Sequence, residues 1–429
     1  MAFCGAFEMM NRRNVLTSAA AALAYFARPT RAATLGDNAR LLLEAGRYLP
    51  LLRQMQAESV NNPAMRDPLA QVLAMIGDET AAVAESNTHA LTLPDLSQCV
   101  AEDALETIVA AAKSRQIVIL NEAHQRSRSR VFAEGLMTRL YAEGFSVFAA
   151  ETFSNAERAW PSQAMRDLNA GAPITAALGW YLADPVFAEM VRAARGLGYR
   201  FASYEARPEQ MQSAGPSEGQ QIEVREDAEA NNFIAHILDG DPKARVFVYC
   251  GYDHVLKSQV YQNQLWFAGR LKAKSGIDPL CIGQAWTVPP PVGLPEEPSL
   301  TTILDQFRPK TPILLRDAAG APVILSITKD ALDFEVIHPR LSEVSDRPGW
   351  LATAPGRHAA PFKLTDIPAA NALLQAVPVA EAANAAAIPA DQYPAALNAH
   401  EAMFYLKPGG YEVRIEGETE RHTIGQLTV

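Results

Sequence analysis

Short apolar runs rich in β-branched residues alternate with amphipathic segments through the middle of the chain. The segments between the runs have helical periodicity, and the runs lie at residues 116–120, 145–150, 199–204, 245–250 and 278–284. A strand that is apolar along its whole length is typical of a parallel sheet with helices on both faces. The pattern therefore predicts an α/β fold with a mostly parallel sheet flanked by helices over residues 101–287.

The segments on either side of this domain have other patterns. Residues 34–100 carry leucines at near-helical spacing and predict a helical lead-in that packs on the larger domain. Residues 288–387 begin with a proline-rich linker and predict short strands that extend the domain, with a partly helical alanine-rich stretch at 369–387. Residues 388–429 contain a hairpin pattern and predict a small C-terminal β module.

The first 33 residues have the pattern of an export signal. A basic region with Arg12 and Arg13 precedes a short alanine-rich apolar run, and small residues follow Arg31. The paired arginines resemble a twin-arginine signal, which exports folded proteins. This segment predicts a periplasmic or secreted protein, and an ordinary amphipathic helix is the alternative.

Composition narrows the classes of partner. The 429 residues are enough for two or three domains, and 48% hydrophobic with 20% charged residues is typical of globular proteins. A net charge of −10 gives no general electrostatic reason to bind nucleic acid or an anionic membrane. No apolar run approaches the roughly 18 residues of a membrane span. After the predicted signal, Cys99, Cys250 and Cys281 allow at most one internal disulfide, and no structural zinc motif occurs.

Acidic and histidine side chains follow four of the predicted strands at the point where each strand ends. In chain order these are Glu122 and His124 after the first, where Asn121 precedes them, Glu151 after the second, Glu205 after the third, and Asp253 and His254 after the fourth. The carboxyl ends of parallel strands meet at one edge of a sheet, where ligands bind in such folds. We therefore expect these side chains to surround one site.

The residue types are those of water activation. A carboxylate such as Glu122 fixes the tautomer of His124 and raises its basicity, so that His124 could take a proton from water. Glu151 could stabilise the imidazolium, and His254 could polarise a substrate carbonyl. We expect Arg225 to pair with a carboxylate, either Glu151 or one on the substrate, and we assign substrate binding to Arg225, Glu205 and Asn121.

The same residues also suit a metal ion. His124, His254, Glu122 and Glu151 offer nitrogen and oxygen ligands that fit Zn²⁺, Mn²⁺ or Fe²⁺. The chain contains neither a nucleotide-binding glycine loop nor the Gly-x-Ser-x-Gly elbow of serine hydrolases. The cofactor is left open from the residues alone, and a serine nucleophile is unsupported.

Short motifs in a fixed order give the region a resemblance to a known superfamily. A Gly-Glu-x-His motif is matched by Glu122 and His124, with Asn121 in the glycine position, and an acidic strand end is matched by Glu151. An Arg-acid pair that opens a helix carrying an asparagine is matched by Arg225, Glu226 and Asn231, and a late Gly-x-x-His is matched by Gly251 and His254. Over residues 103–285 the chain resembles the superfamily of erythromycin esterases, ChaN-type haem-binding proteins and the TraB, GumN and Tiki proteins.

The resemblance implies three activities, one for each branch. Esterase-like members use the His and Glu pair to activate water against an ester or lactone, Tiki-like members carry out metal-dependent peptide hydrolysis, and ChaN-like members bind haem. The chain departs from the esterases at Asn121 and lacks the Pro-Thr-His pattern of macrolide esterases. We expect an exported hydrolase of an ester, lactone or amide in a small-molecule or peptide substrate. A haem or metal-binding protein without turnover, and a surface protein that binds an unknown partner through the β module, are the alternatives.

Overall fold

The computed structural model describes residues 36–153, 155, 160–259, 264–327, 329–365, 372–396 and 399–429. The predicted export signal at residues 1–33 lies outside the described residues. Within these ranges no helix has the length and apolar character needed to cross a membrane, which agrees with the sequence prediction.

The helices fall into an N-terminal group and a group interleaved with strands. The first group consists of α1 (Gly36–Glu44), α2 (Tyr48–Ser59), α3 (Arg66–Met75) and α4 (Glu79–Ala84). The second group begins with α5 (Ala104–Ala112), α6 (Arg128–Ala142), α7 (Gln163–Asn169) and α8 (Pro185–Leu197). It continues with α9 (Pro208–Met211), α10 (Glu218–Phe233), α11 (Phe267–Ser275), α12 (Pro298–Phe307) and α13 (Gly349–Thr353).

The strands belong to a central sheet, two small pairs and a C-terminal sheet. The first eight are β1 (Val100–Asp103), β2 (Ile117–Glu122), β3 (Val147–Ala150), β4 (Arg200–Ala202), β5 (Val246–Gly251), β6 (Leu280–Gly283), β7 (Ile313–Arg316) and β8 (Phe334–Glu335). The last six are β9 (His358–Lys363), β10 (Leu373–Pro378), β11 (Asp391–Pro394), β12 (Glu401–Leu406), β13 (Gly410–Glu416) and β14 (Arg421–Thr428).

The central sheet has six parallel strands in the order β4-β3-β5-β2-β6-β8. Alternate residues of β2 face opposite sides of the sheet. Val118 and Leu120 therefore pack in one core, and Ile117 and Ile119 pack in the other. Helices α5, α6 and α8 contribute to the first core, and α10 and α11 contribute to the second. Helices thus cover both faces, which explains the continuous apolar strands and confirms the predicted fold class.

Segments beyond residue 287 complete this domain. Strand β8 pairs with β6 at one edge of the central sheet, and β7 forms an antiparallel pair with β1. The prediction of partial helix at 369–387 is wrong in its described part, residues 372–387, which forms β10 followed by turns. Strand β10 is bonded to β11 on one side and β13 on the other, and this pairing overrides the helical preference of alanine.

The N-terminal helices pack against the C-terminal module as well as against the α/β domain. The C-terminal module contains an antiparallel sheet in the order β11-β10-β13-β14 and the antiparallel pair β9-β12. The backbone N–H of Leu49 donates to Glu416 at 3.0 Å, and Gln392 donates to the carbonyl of Met75 at 2.6 Å. The Tyr48 hydroxyl donates to the carbonyl of Ala183 at 2.9 Å. The helical lead-in therefore packs on the α/β domain, as expected, and on the C-terminal module as well.

Candidate active site

The parallel register brings the predicted residues to one edge of the central sheet. Strand β2 ends at Glu122, which lies opposite Gly251 at the end of β5. Strand β3 ends one residue before Glu151. Glu122, His124, Glu151 and His254 are all buried, with exposed fractions between 1% and 6%. Charged side chains at this depth require hydrogen-bond or ion-pair partners. The four residues and their partners form two connected clusters, which are the first and second groups described below.

Glu122 is the centre of the first group. Arg130 donates from Nε to Oε2 and from Nη2 to Oε1, each at 2.7 Å, and the Tyr249 hydroxyl donates to Oε2 at 2.8 Å. Burial alone would raise the pKa of Glu122, but Arg130 and His124 hold that pKa below its ordinary value. Glu122 is therefore a carboxylate at neutral pH.

His124 lies against this carboxylate. Its Nδ1 is 3.1 Å from Oε1 of Glu122, and its ring stacks on Tyr181 with 3.5 Å between the ring centroids. Its backbone carbonyl accepts from Nη2 of Arg130 at 2.8 Å. Because an ionised Glu122 only accepts hydrogen bonds, Nδ1 carries the proton. Nε2 is then the nitrogen of His124 that can act as a base.

Arg225 is the centre of the second group. Its Nη2 donates to Oε1 of Glu151 at 2.7 Å, so Glu151 is one of the two partners that the sequence predicted for it. Arg225 also donates to both oxygens of Glu205, at 3.0 and 2.5 Å. Its Nη1 lies 3.0 Å from Nε2 of His254. One guanidinium thus joins the ends of β3, β4 and β5.

His254 is surrounded by carboxylates. Its Nδ1 lies 2.9 Å from Glu226 and 3.3 Å from Glu229, and its Nε2 lies 3.4 Å from Glu151. Burial would lower the pKa of His254, but these three acids raise it well above the ordinary value. Burial opposes the ionisation of Glu151, yet His254 and Arg225 hold the pKa of Glu151 well below its usual range. Glu151 is therefore also a carboxylate at neutral pH.

Gly251 is the point where the two groups meet. Its N–H donates to Oε2 of Glu151 at 2.6 Å. A Cβ at this position would lie 2.5 Å from Nε2 of His124 and 3.1 Å from Oε2 of Glu151. The basic nitrogen and a carboxylate oxygen therefore border the same small space, which exists because residue 251 has no side chain.

The two other predicted substrate-binding residues lie in different settings. Glu205 is the more accessible, with 23% of its side chain exposed, and burial raises its pKa to about 7 although Arg225 opposes this. Asn121 is buried, and its amide links backbone of two neighbouring loops, donating to the carbonyl of Tyr252 and accepting from the N–H of Gln284, each at 2.7 Å. Asn121 thus holds the strand ends together.

The residues predicted as metal ligands do not form one cluster. His124, His254, Glu122 and Glu151 all lie in the described ranges. Within these ranges, the residues whose ligand atoms lie within 4.8 Å of one another are Glu226, Glu229 and His254. The Nδ1 atoms of the two histidines face different carboxylates.

Cys250, next to the site, is a buried free thiol, and burial raises its pKa well above the usual value.

Sequence reasoning missed several residues of the site. Arg130 lies on a helix, Tyr249 on a strand and Tyr181 on a short 3-10 helix, and the sequence does not show how these elements are oriented. Asp184 could have been recognised from the sequence as a helix cap, because aspartate followed by proline is common at the start of a helix. Its Oδ1 caps α8 by accepting from the N–H of Val186 at 2.7 Å, and its Oδ2 lies 2.8 Å from Nη1 of Arg130.

The buried asparagine of helix α10 is not the one that the resemblance selects. Asn231, which the resemblance selects, donates to Asp227 at the protein surface. The neighbouring Asn232 is buried and donates to the carbonyls of Tyr204 and Glu205, at 3.2 and 3.0 Å. Asn232 therefore holds the segment after β4 in place beside Arg225.

Comparison with known proteins gives weak likenesses. No family model and no curated protein matches the chain. A solved structure described as "Bacterial protein toxins" is 17% identical with a TM-score of 0.30, over 40% of this chain and 36% of that chain. RRSP, a MARTX toxin effector domain from Vibrio vulnificus CMCP6, is 15% identical with a TM-score of 0.29, over 56% of this chain and 54% of that chain. The chain thus spans about a third to a half of their lengths, and likenesses this weak carry no argument about its activity.

Proposed function

We propose that the protein is a hydrolase that cleaves an ester, lactone or amide with a water molecule activated by His124. One observation carries the proposal: Nδ1 of His124 is bonded to the buried Glu122 carboxylate, while its Nε2 lies beside Glu151 at the side chain-free position Gly251. This is the arrangement that a histidine base needs, with one nitrogen oriented by an acid and the other free to accept a proton.

The reaction proceeds by proton transfer through His124. A water molecule held between Nε2 of His124 and Glu151 gives a proton to Nε2 as its oxygen attacks the substrate carbonyl. Glu122 stabilises the imidazolium that forms. When the tetrahedral intermediate collapses, the C–O or C–N bond breaks and the same proton passes from Nε2 to the leaving alcohol or amine.

Arg130 and Tyr249 act through Glu122. Their three hydrogen bonds keep Glu122 ionised and fixed in place, so that its carboxylate holds Nδ1 of His124. Arg225 has a corresponding effect on Glu151. We regard Arg130, Tyr249 and Arg225 as positioning residues.

The enclosure of the site favours a small substrate. Helix α3 covers this side of the sheet edge, where Gln71 accepts from the indole N–H of Trp180 at 2.8 Å. The next residue, Tyr181, stacks on His124. His124 is 6% exposed beneath the Tyr181 ring, where a folded protein would not reach its Nε2, so a small ester, lactone or amide is the substrate class that we propose.

The test is hydrolysis of a panel of small activated esters, lactones and amides by the wild type and His124→Ala. We expect kcat/KM to fall by about 10² to 10⁴ in His124→Ala. His358→Ala, at an exposed position on β9, is the matched control and should keep full activity. Full hydrolysis by His124→Ala, or no hydrolysis by the wild type on the whole panel, would refute the proposal.

A further inference from the structure

We propose that Glu226, Glu229 and His254 form a buried binding site for a divalent transition-metal cation, distinct from the His124 site. The inference does not rest on the proposed hydrolysis, although Glu151 and Arg225 adjoin both sites. Helix α10 carries the two glutamates on one face, because residues three apart are neighbours on a helix. His254 comes from the turn after β5, so the site links the helix to the end of a central strand.

The ligand geometry fits tetrahedral coordination. Ligand atoms at the zinc distances of 2.0–2.2 Å from a tetrahedral ion lie about 3.3–3.6 Å apart. In the structure Nδ1 of His254 is 2.9 Å from Oε2 of Glu226 and 3.3 Å from Oε2 of Glu229, and one ligand atom from each residue lies within 4.8 Å of the others. The two separations from Nδ1 of His254 are therefore within about 0.7 Å of those in a tetrahedral site.

A second observation is that polar groups at this place lack hydrogen bonds. Glu229 is 0% exposed, and neither of its oxygens has a hydrogen-bond partner among the described residues. It has ion-pair contacts only, at 3.0 Å to Nε of Arg225 and 3.3 Å to Nδ1 of His254. The nearby Tyr204 hydroxyl is also buried without a described partner. Buried oxygen atoms normally have a partner, and a cation in the triangle would provide one for Glu229.

The charges of the region point the same way. Two side chains, Arg225 and His254, share contacts with four carboxylates, which belong to Glu151, Glu205, Glu226 and Glu229. With all four carboxyl groups ionised and His254 protonated, the cluster would carry two net negative charges in a buried environment. Such an excess is costly, and a divalent cation bound among these carboxylates would offset it.

The surroundings of His254 fit the outer shell of a metal site. A histidine that binds a metal through one nitrogen is usually held at the other nitrogen by outer groups, and Nε2 of His254 lies 3.0 Å from Nη1 of Arg225 and 3.4 Å from Glu151. Glu226 is itself held by the backbone N–H of Phe267, which donates to Oε2 at 2.8 Å. Two carboxylates and one imidazole without a thiolate favour Zn²⁺ or Mn²⁺.

The experiment is elemental analysis of the full-length protein after chelation and reloading with ZnCl₂ or MnCl₂. We expect one equivalent of metal in the wild type, and the same in His124→Ala and Asp227→Asn. Asp227 is the matched control, because it lies on the same helix but faces Arg270 and Lys274 at the surface. Glu229→Gln should lower the affinity at least tenfold.

Each result decides the proposal. Absence of bound metal in the reloaded wild type, equal affinity in Glu229→Gln, or loss of the metal in His124→Ala would overturn it; the last would assign the ion to the His124 site instead. If Glu229→Gln fails to fold, the wild type and His124→Ala still decide. The visible spectrum of the Co²⁺-loaded protein adds a readout of tetrahedral coordination that does not depend on activity.

Discussion

Arg130 and Asp184 form an ion pair of 2.8 Å between Nη1 and Oδ2, with about 1% of each side chain exposed. The pair fixes the guanidinium whose other nitrogens hold Glu122. Ser127 adds a hydrogen bond of 2.5 Å to the same oxygen of Asp184. Asp184, which caps α8, therefore also helps to position His124, the candidate base, through Arg130 and Glu122.

The Asp184→Asn variant tests this support. It keeps a capping oxygen but leaves Arg130 short of a negative charge in the interior, so we expect the free energy of unfolding to fall by about 3 kcal/mol. Urea denaturation measures the change. Glu106→Gln is the control, because the Glu106–Arg139 pair is exposed and its loss should have little effect. Equal stability of Asp184→Asn and the wild type would contradict the prediction.

The Gly251→Ala variant tests the shared space at the end of β5. The new Cβ would be 2.3 Å from Cε1 of His124, so the imidazole must move away from Glu151. We expect hydrolysis to fall at least tenfold and stability to fall by about 1–3 kcal/mol. Gly240→Ala is the control, because a Cβ there meets nothing within 4 Å. Kinetics and thermal melting of both variants give the result, and full activity of Gly251→Ala would disprove the placement of the base.

Two tyrosine hydroxyls separate a positioning role from a purely structural one. Tyr249 donates to the Glu122 carboxylate at 2.8 Å, and Tyr199 donates to the carbonyl of Met137 at the same distance. Tyr249→Phe and Tyr199→Phe should each lower stability by about 1–2 kcal/mol. Only Tyr249→Phe should also lower kcat, since Glu122 loses a donor. A parallel fall of kcat in both variants would count against the role of Glu122.

The pH dependence of stability should show the effect of Asp67 on α3. Burial raises the pKa of Asp67 to about 6, although His124 and a hydrogen bond from Gln71 oppose the shift. The folded state therefore binds a proton more tightly than the unfolded state, and the contribution of Asp67 to stability is lost as the pH rises from about 4 to 6.

Asp67→Asn removes this titration while it keeps an oxygen for Gln71. We expect the variant to match the wild type near pH 4 and to be more stable by about 2 kcal/mol at pH 7, at about 1.4 kcal/mol per pKa unit with a discount for partial exposure. Denaturant titrations at several pH values measure the difference. A difference that does not change with pH would rule out a shifted Asp67.

The sequence predicted the central sheet because strands covered on both faces must be apolar at every position, as β2 is. It also located Glu122, Glu151 and His254, since parallel strands end at the same edge. It could not show ring orientation, so His124 and His254 were placed in one metal set although their Nδ1 atoms face different acids. Glu229 was missed because its position beside His254 depends on the rotation of α10 about its axis.

Contacts between distant parts of the chain were also beyond sequence reasoning. The partial helix expected at 369–387 followed alanine content, whereas β10 forms because β11 and β13 offer hydrogen-bond partners on both sides. Arg130 lies on α6 and Asp184 caps α8, and only the packing of α6 on α8 brings them together. Local patterns carry no information on such pairings.

The packing of α2 on the C-terminal module sets the order in which the protein can be completed. Leu49 is among the earliest described residues to leave the ribosome, but its partner Glu416 is among the last. The contacts of the N-terminal helices with the C-terminal module therefore form only after β13 has been synthesised. We expect nascent chains that stop before β13 to be bound by chaperones and to be cut by proteases within the first four helices.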